Sequence, residues 1–395
     1  MRFKFVCKRW WSLIKQDPYF HDLHLTRSKT RPGLLIVIPL IKAYERIVGH
    51  LEFFLSANFF ECRAAIHTKR KTKSLRYNDH RILNPVNGLI CFVHCFERDA
   101  VRIYNPSTRE KTPWIKSRIN KEKEEHGVKV YEYPSYGFGF DPATMEHKVI
   151  CVWTIFRTQN FPNYKFTIRY ACDILTVGHN SWRRIDEVPP PYKLQGSSVY
   201  ANGSIYWSNK ALFRDEKWDD GEPEVIVAFD VGSEKFRVIP IPNFIVDQPM
   251  SRDNFCGPSV ELLEVDGRVA LLGRMNAYNV KMWIFDDDHD YDKEEKINRT
   301  TTSSSTSNSN WTEVTIKLPF CWNRDMPLSF HAVEGTDQII LQSCRNSLWV
   351  VSLYSYNWKK KTFKKIEISG FSAIPRLFSA SLFTPLVESL LPVYK

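Results

Sequence analysis

Asn87-Gly88-Leu89-Ile90-Cys91-Phe92, followed by Val101-Arg102-Ile103-Tyr104-Asn105-Pro106, decides the fold because the phrase returns. It comes back as Asn202-Gly203-Ser204-Ile205-Tyr206-Trp207 with Ile226-Val227-Ala228-Phe229-Asp230. A third copy is Asp266-Gly267-Arg268-Val269-Ala270-Leu271-Leu272 with Lys281-Met282-Trp283-Ile284-Phe285-Asp286. Asn-Gly and Asp-Gly suit tight hairpins, whose two central residues need positive φ. A supersecondary unit that repeats implies an array around a shared core, and arrays usually present binding surfaces.

The turn glycines Gly88, Gly203, Gly267 and Gly335 are spaced by 115, 64 and 68 residues. The longest interval holds another unit, Tyr136-Gly137-Phe138-Gly139-Phe140-Asp141-Pro142, so the period is about 60 residues, room for a four-stranded blade. Short apolar runs such as Leu34-Leu35-Ile36-Val37-Ile38 and Gln338-Ile339-Ile340-Leu341-Gln342 recur between turn signals. The expected fold is mainly β, a propeller of about six blades. Trp182, Phe236 and Trp311 each open an alternating run and are expected to wedge between neighbouring sheets. Two stretches break the rhythm, 117–133, rich in Lys and Glu, and 286–310, acidic and then Thr/Ser-rich; both read as mobile surface loops.

The N-terminal segment differs. Phe3, Val6, Trp10 and Leu13, with Cys7, Trp11 and Ile14, fall at three- and four-residue spacing, which predicts a helix. Asp17-Pro18 is expected to close it, since proline pushes the preceding residue out of the α region. A short segment, Tyr19 to Leu25, then leads to the β-rich body near Arg31-Pro32.

Residues 2–14, with Asp17-Pro18-Tyr19-Phe20 and His24-Leu25, resemble the second half of a plant F-box. The body resembles the F-box-associated, kelch-like domain that follows it, through Asn87-Gly88-Leu89, Tyr104-Asn105-Pro106-Ser107-Thr108-Arg109-Glu110, Gly137-Phe138-Gly139-Phe140-Asp141-Pro142 and Asn202-Gly203-Ser204-Ile205-Tyr206-Trp207, in the family's order. The resemblance divides the chain into a partial helical F-box, 1–31, and a kelch-like β domain, 32–395. It implies a non-catalytic substrate receptor of an SCF-type ubiquitin ligase, in which the F-box docks a Skp-type adaptor, and through it a cullin and RING subunit. The β domain would capture the protein to be ubiquitinated. Val6, Cys7, Trp10, Leu13 and Ile14 would form F-box core with some adaptor contact. The Leu-Pro-containing helix that opens an F-box has no counterpart before Met1, so an adaptor-independent protein-binding module stands as the alternative. On the target side, Phe161, Tyr164, Phe213 and Trp218 are aromatic candidates in connecting stretches, because interfaces favour such anchors.

Composition bounds the remaining classes. With 395 residues, 43% of them hydrophobic, the chain can bury a large core. The net charge of +11 lies mainly in 2–31, 63–81 and 359–365, which read as solvated faces rather than a nucleic-acid patch. Nine cysteines, an odd count, fit a reducing cytoplasmic or nuclear setting. No apolar run approaches the roughly 20 residues of a spanning helix, and no secretory signal is expected. Cys91-Phe92-Val93-His94-Cys95 lacks the four ligands of structural zinc, and strand alternation accounts for it, with Cys91, Val93 and Cys95 on one face. Asp286-Asp287-Asp288-His289-Asp290 lacks the glycine and distal Glu of a calcium loop and reads as a solvated acidic loop. No metal, cofactor or catalytic motif is expected; a propeller enzyme would need a catalytic pair converging in the central funnel.

Overall fold

The computed structural model describes residues 12, 17–30, 33–40, 50–57, 63–76, 80–94, 99–117, 128–159, 166–192, 194–209, 224–248, 260–287, 310–321, 328–333, 336–345, 350–369 and 383–394. After helix α1 (Pro18–Lys29) the described chain is almost entirely β, with one short second helix, α2 (Asn243–Val246). Strands β1 (Gly33–Leu40), β2 (His50–Ala57) and β3 (Arg63–Arg76) come first. A second unit holds β4 (His80–Ile82), β5 (Ile90–His94), β6 (Ala100–Asn105) and the two-residue strands β7 (Glu110–Lys111) and β8 (Ile115–Lys116). The third comprises β9 (Val128–Asp141), β10 (Glu146–Gln159), β11 (Phe166–Thr176) and β12 (Trp182–Ile185). The fourth is β13 (Gln195–Ala201), β14 (Ser204–Ser208), β15 (Val225–Asp230) and β16 (Lys235–Pro240). The fifth has β17 (Val260–Val265), β18 (Arg268–Arg274), β19 (Asn279–Phe285) and β20 (Trp311–Lys317). The sixth has β21 (Leu328–Ala332), β22 (Gln338–Arg345), β23 (Val350–Asn357) and β24 (Thr362–Ser369), and β25 (Phe383–Leu386) ends the series.

Within each unit neighbouring strands pair antiparallel. β25 completes the first unit by pairing with β1, from Gly33↔Leu386 to Ile36↔Phe383. The first strands of the third to sixth units, β9, β13, β17 and β21, and then β25 lie side by side around the axis, which is the propeller arrangement. Among the described residues the strands form five continuous sheets, one of eight strands. That large sheet is two antiparallel four-stranded halves joined where Glu367–Ser369 of β24 pair in parallel with Arg63–Ala65 of β3. The expected six blades therefore appear as five sheets, one of them double.

The repeated turns have the chemistry expected of them. Asn87-Gly88, Asn202-Gly203 and Asp266-Gly267 all have positive φ at both positions, 47° and 79°, 41° and 78°, and 54° and 76°. A second recurring turn follows an Asx at a strand end. Asn105 Oδ1 accepts from Ser107 N and Thr108 N at 2.8 and 3.1 Å, Asp141 Oδ1 from Ala143 N at 3.0 Å, Asp230 Oδ1 from Ser233 N at 2.6 Å, and Asn357 Oδ1 from Lys360 N at 2.7 Å. Each turn then places a non-glycine at positive φ: Arg109, Met145, Glu234 and Lys361. Gly335 lies outside the described residues.

The core sits between blades. Trp153, Trp207 and Trp283 are among the largest fully buried side chains. Trp182, Phe236 and Trp311 join three different inter-blade clusters, as their wedge role requires. Cys91 and Val93 share one such cluster, in keeping with strand alternation; Cys95 is not among the described residues. Asp17 is extended at φ −89°, as the proline after it was expected to require, and it also caps the helix that follows: its carboxylate accepts from Phe20 N at 3.0 Å, with proline at the first helical position, where its missing N–H costs nothing. One expectation is corrected. The stretch 117–133, read as a loop, carries strand from Val128, where β9 pairs residue for residue with β10. Ser117 is also fixed, its hydroxyl donating to buried Asp173 at 3.0 Å. The start of 286–310 is paired too: Asp286 with Arg268 and with Thr312, and Asp287 with Arg237. No helix of the described residues is long and apolar enough to cross a membrane.

Candidate partner-binding face

Four antiparallel strands return the chain to the end of the blade where it entered, so the two ends of the propeller differ. Turns between first and second strands and between third and fourth lie at one end; the remaining connections lie at the other. The Asn-Gly and Asx turns mark the short-turn end. Here α1 packs, burying His21 and Leu25. Glu388 N donates to Ser28 Oγ, and Lys29 lies near buried His147. The tail after β25 runs as a clasp across this end. Asn105 Nδ2 donates to Ser389 O and Leu391 O at 3.1 and 2.8 Å, Ser389 N donates to Ser107 Oγ at 3.1 Å, and Val393 is fully buried in the cluster between the second and third blades. Gly88 turns directly beneath it, with no room for a Cβ against Val387 O at 2.5 Å.

A buried charge cluster binds the third and fourth blades at the same end. Lys148 Nζ donates to Val231 O at 2.9 Å, to Glu234 at 3.0 Å and to Asp141 at 3.5 Å. Burial alone would raise Asp141, but the Thr144 hydroxyl, the Ala143 and Thr144 N–H groups and Lys148 hold its carboxyl below the usual range. His147 stacks on Phe138 and meets Phe140, and burial lowers it to about 4 although Val86 O accepts from its ring at 3.1 Å. These groups are structural locks.

Large apolar side chains face water at both ends: Tyr19, Leu23, Met145 and Tyr394 at the short-turn end, and a second set at the opposite end. Tyr133 is 44% exposed, Ile168 41%, Val188 71%, Phe244 44% and Tyr278 55%. Ile245, fully buried, anchors α2 in the core between the fourth and fifth blades, so its neighbour Phe244 is presented outward. Tyr278 stands beside exposed Cys321, whose thiol raises its phenol. The third blade is drawn out at this end. β9 and β10 have 14 residues each, and β11 has 11, whereas β12 pairs with β11 only from Cys172 to Leu175. Beyond that ladder the three strands continue as a ribbon. Its register groups Tyr133, Thr154, Phe156, Ile168 and Tyr170 on one face, with Tyr133 and Phe156 edge to face at 5.5 Å. Glu132, Ile155, Arg157, Thr167 and Arg169 share the other.

Val6, Cys7, Trp10, Leu13 and Ile14 lie outside the described residues, as do Phe161, Tyr164, Phe213 and Trp218. The last four fall in the connections β10 to β11 and β14 to β15, both leaving strand ends opposite the short-turn end. Sequence reasoning missed Tyr133, Ile168, Val188, Phe244 and Tyr278. The alternation Val128, Val130, Glu132 was the available signal for the ribbon, and it was masked by the Lys- and Glu-rich run before it.

On the innermost strand β17, burial pushes the Glu261 carboxyl up to about 7 even though Arg274 Nη2 stands 2.8 Å away. Its partner is thus a cation rather than the second carboxylate that a hydrolytic pair would need. Among the described residues no group of three or more His, Cys, Asp or Glu side chains is arranged to hold a metal ion.

Comparison with known proteins agrees with this architecture. Residues 43–385 match the family model described as F-box associated beta propeller domain. F-box protein At5g65850 of Arabidopsis thaliana is 28% identical over 383 residues, covering 93% of this chain and 80% of its own. F-box/LRR-repeat protein At2g40920 of the same plant is 25% identical over 380 residues, covering 93% and 77%. Among solved structures, the β-propeller domain of the Trilobed protease from Pyrococcus furiosus covers 87% of this chain and 99% of its own, at 10% identity and a TM-score of 0.31, too slight a likeness to carry an argument. With five sheets ringing one axis and most of its length matched by a single model, the chain belongs to the F-box associated β-propeller family.

Proposed function

We propose that the chain is a non-catalytic substrate receptor of an SCF-type ubiquitin ligase, working in the cytoplasm or nucleus. The observation that carries this reading is the opposition of its two ends. α1, the continuation of the segment that resembles an F-box, is seated on the short-turn end by Ser28, His21 and Leu25. The ribbon of the third blade, with exposed Tyr133 and Ile168, and exposed Phe244 and Tyr278 stand at the other end. A receptor needs this separation, because the adaptor and the captured protein must bind together without collision. Exposed aromatic side chains on that second end supply the anchors an interaction surface uses.

The test is a pull-down of a purified Skp-type adaptor by this chain and by a version carrying a complete F-box ahead of it. Adaptor retained by at least the extended form, and unaffected by Tyr133→Ser with Tyr278→Ser, supports the assignment. Retention by neither form overturns it and leaves a protein-binding module outside the ligase.

A further inference from the structure

α1 ends in a basic run built around one serine, Arg27-Ser28-Lys29-Thr30-Arg31. Ser28 lies in the last turn of the helix, and Thr30 caps that turn, its N–H on Ser28 O and its hydroxyl on Arg27 O at 2.7 Å. The Ser28 hydroxyl accepts from Glu388 N, so this side chain is where α1 meets the tail. It is only half-buried, and Glu388 is exposed. Beyond Glu388 the tail is fixed to the second blade, Ser389 by Asn105 and Ser107. His24 lies four residues back on the same face of α1. Burial lowers its ring although the Glu388 carboxylate pulls it upward, so it is neutral near pH 7 and brings no cation to the joint. Arg27 and Lys29 are direct neighbours of Ser28, and on a helix such neighbours do not face one another.

We propose that Ser28 is a phosphorylation site for a basophilic serine/threonine kinase, and that the phosphate releases α1 from the tail. Arg27, Lys29 and Arg31, all within three positions of the serine, supply the recognition chemistry. A helix end frays, which presents the segment to the kinase. In the transfer Ser28 Oγ bonds to the γ-phosphorus of ATP and the bond from that phosphorus to the ADP oxygen breaks. The hydroxyl proton goes to the kinase's base, and ADP leaves. The product carries close to two negative charges where the tail now lies. It stands at the negative end of the helix dipole and beside the Glu388 carboxylate, and both repel it. The buried side chains His21 and Leu25 are then left to hold α1. The inference goes beyond the receptor reading, since it concerns how α1 is held whether or not an adaptor binds.

The full chain is incubated with ATP and the catalytic domain of protein kinase C, which accepts basic residues on either side of its serine, and the phosphate is located by mass spectrometry. Phosphate is expected on Ser28 and absent from that peptide in Ser28→Ala. A second preparation carries phosphoserine at position 28 from synthesis, which makes the release test independent of the kinase. Hydrogen exchange in 18–29 and 387–391 should rise at least tenfold in it, with exchange in 149–155 of β10 unchanged, whereas Ser28→Ala, which loses the acceptor without adding charge, should raise it threefold or less. No phosphate on Ser28, or phosphate kept by the same peptide in Ser28→Ala and so carried by Thr26 or Thr30, overturns the proposal. So does exchange in 18–29 that is unchanged or slowed, or a rise shared equally by β10. Adaptor pull-down by the unphosphorylated chain reads the receptor assignment separately, so the two can fail independently.

Discussion

Gly137 and Gly139 stand within β9, paired on β10, where glycine has no turn to serve. Their reason is the neighbouring blade. A Cβ on Gly137 would lie 2.5 Å from Trp207 Cζ2 and 2.6 Å from Ile205 Cγ2, about 0.9 Å inside ordinary contact. The indole cannot retreat easily: Trp207 is 1% exposed and its Nε1 donates to Tyr136 O at 3.3 Å. Overpacking of this kind costs about 1–3 kcal/mol, and displacing the ring forfeits a hydrogen bond of about 1 kcal/mol. Gly137→Ala should therefore cost about 3 kcal/mol, the upper end of that range. Two controls frame the figure. At Gly139 the Cβ meets Val231 Cγ2 at 2.8 Å and Ile205 Cδ1 and Cγ1 at 2.9 Å, a smaller overlap with side chains that are buried but break no hydrogen bond when they shift, so about 2 kcal/mol is expected. At Gly267 nothing lies within 4 Å, but φ is +76°, so alanine costs only the left-handed backbone penalty of about 1–2 kcal/mol. Thermal melts of the three variants, followed by intrinsic tryptophan fluorescence, give the order. If Gly137→Ala melts no lower than Gly267→Ala, close approach between blades is not why β9 carries glycine.

Asn105→Ala should uncouple the clasp, since Asn105 is fully buried and serves two tail carbonyls and two turn amides. A loss of at least about 2 kcal/mol is expected, and hydrogen exchange should rise in 386–394 before it rises in the sheets. Acid should destabilise the fold through His147: burial lowers it from 6.5 to about 4, so its contribution is fully present above pH 6.5 and is lost as pH falls through 4, because the unfolded chain takes the proton first. At about 1.4 kcal/mol per pKa unit, the loss approaches about 3 kcal/mol near pH 4. His147→Gln, which keeps an N–H for Val86 O, should flatten melting temperature against pH over that window, and an unchanged slope would refute the assignment. His331, lowered to about 4 by burial, adds in the same direction. Glu261, raised to about 7, works oppositely, its contribution present below about 4.5 and lost as pH rises through 7.

What could be read before the structure is what local chemistry dictates. Asn87-Gly88, Asn202-Gly203 and Asp266-Gly267 announce their turns because few residues tolerate two successive positive φ values, and Trp182, Phe236 and Trp311 announce buried wedges by their size. The glycines of β9 looked like part of a turn phrase, since their cause lies in Trp207 and Ile205, about 70 residues away. Asp17-Pro18 was legible as a stop, since proline forces the residue before it out of the α region, but that the same extended residue also caps the next helix shows only in the bond from Phe20 N. The exposed face was the least legible. A side chain's exposure depends on where neighbouring blades stop, so Tyr133 and Ile168 became visible only once β12 was seen to end at Ile185.

The clasp had no periodicity to betray it, yet it is what separates the two faces. If the first blade drew all four strands from the N-terminal side, its innermost strand would enter from the long-connection end, and whatever precedes it would stand among the exposed aromatics. Instead β25 supplies that strand, so the chain enters β1 at Gly33, opposite Leu386, at the short-turn end. α1 lies immediately before β1 and is thereby placed beside the tail, where Glu388 N reaches Ser28. Closure by the C-terminal strand thus does two things with one set of hydrogen bonds. It completes the ring, and it leaves the drawn-out ribbon and its apolar neighbours on the end that α1 does not occupy.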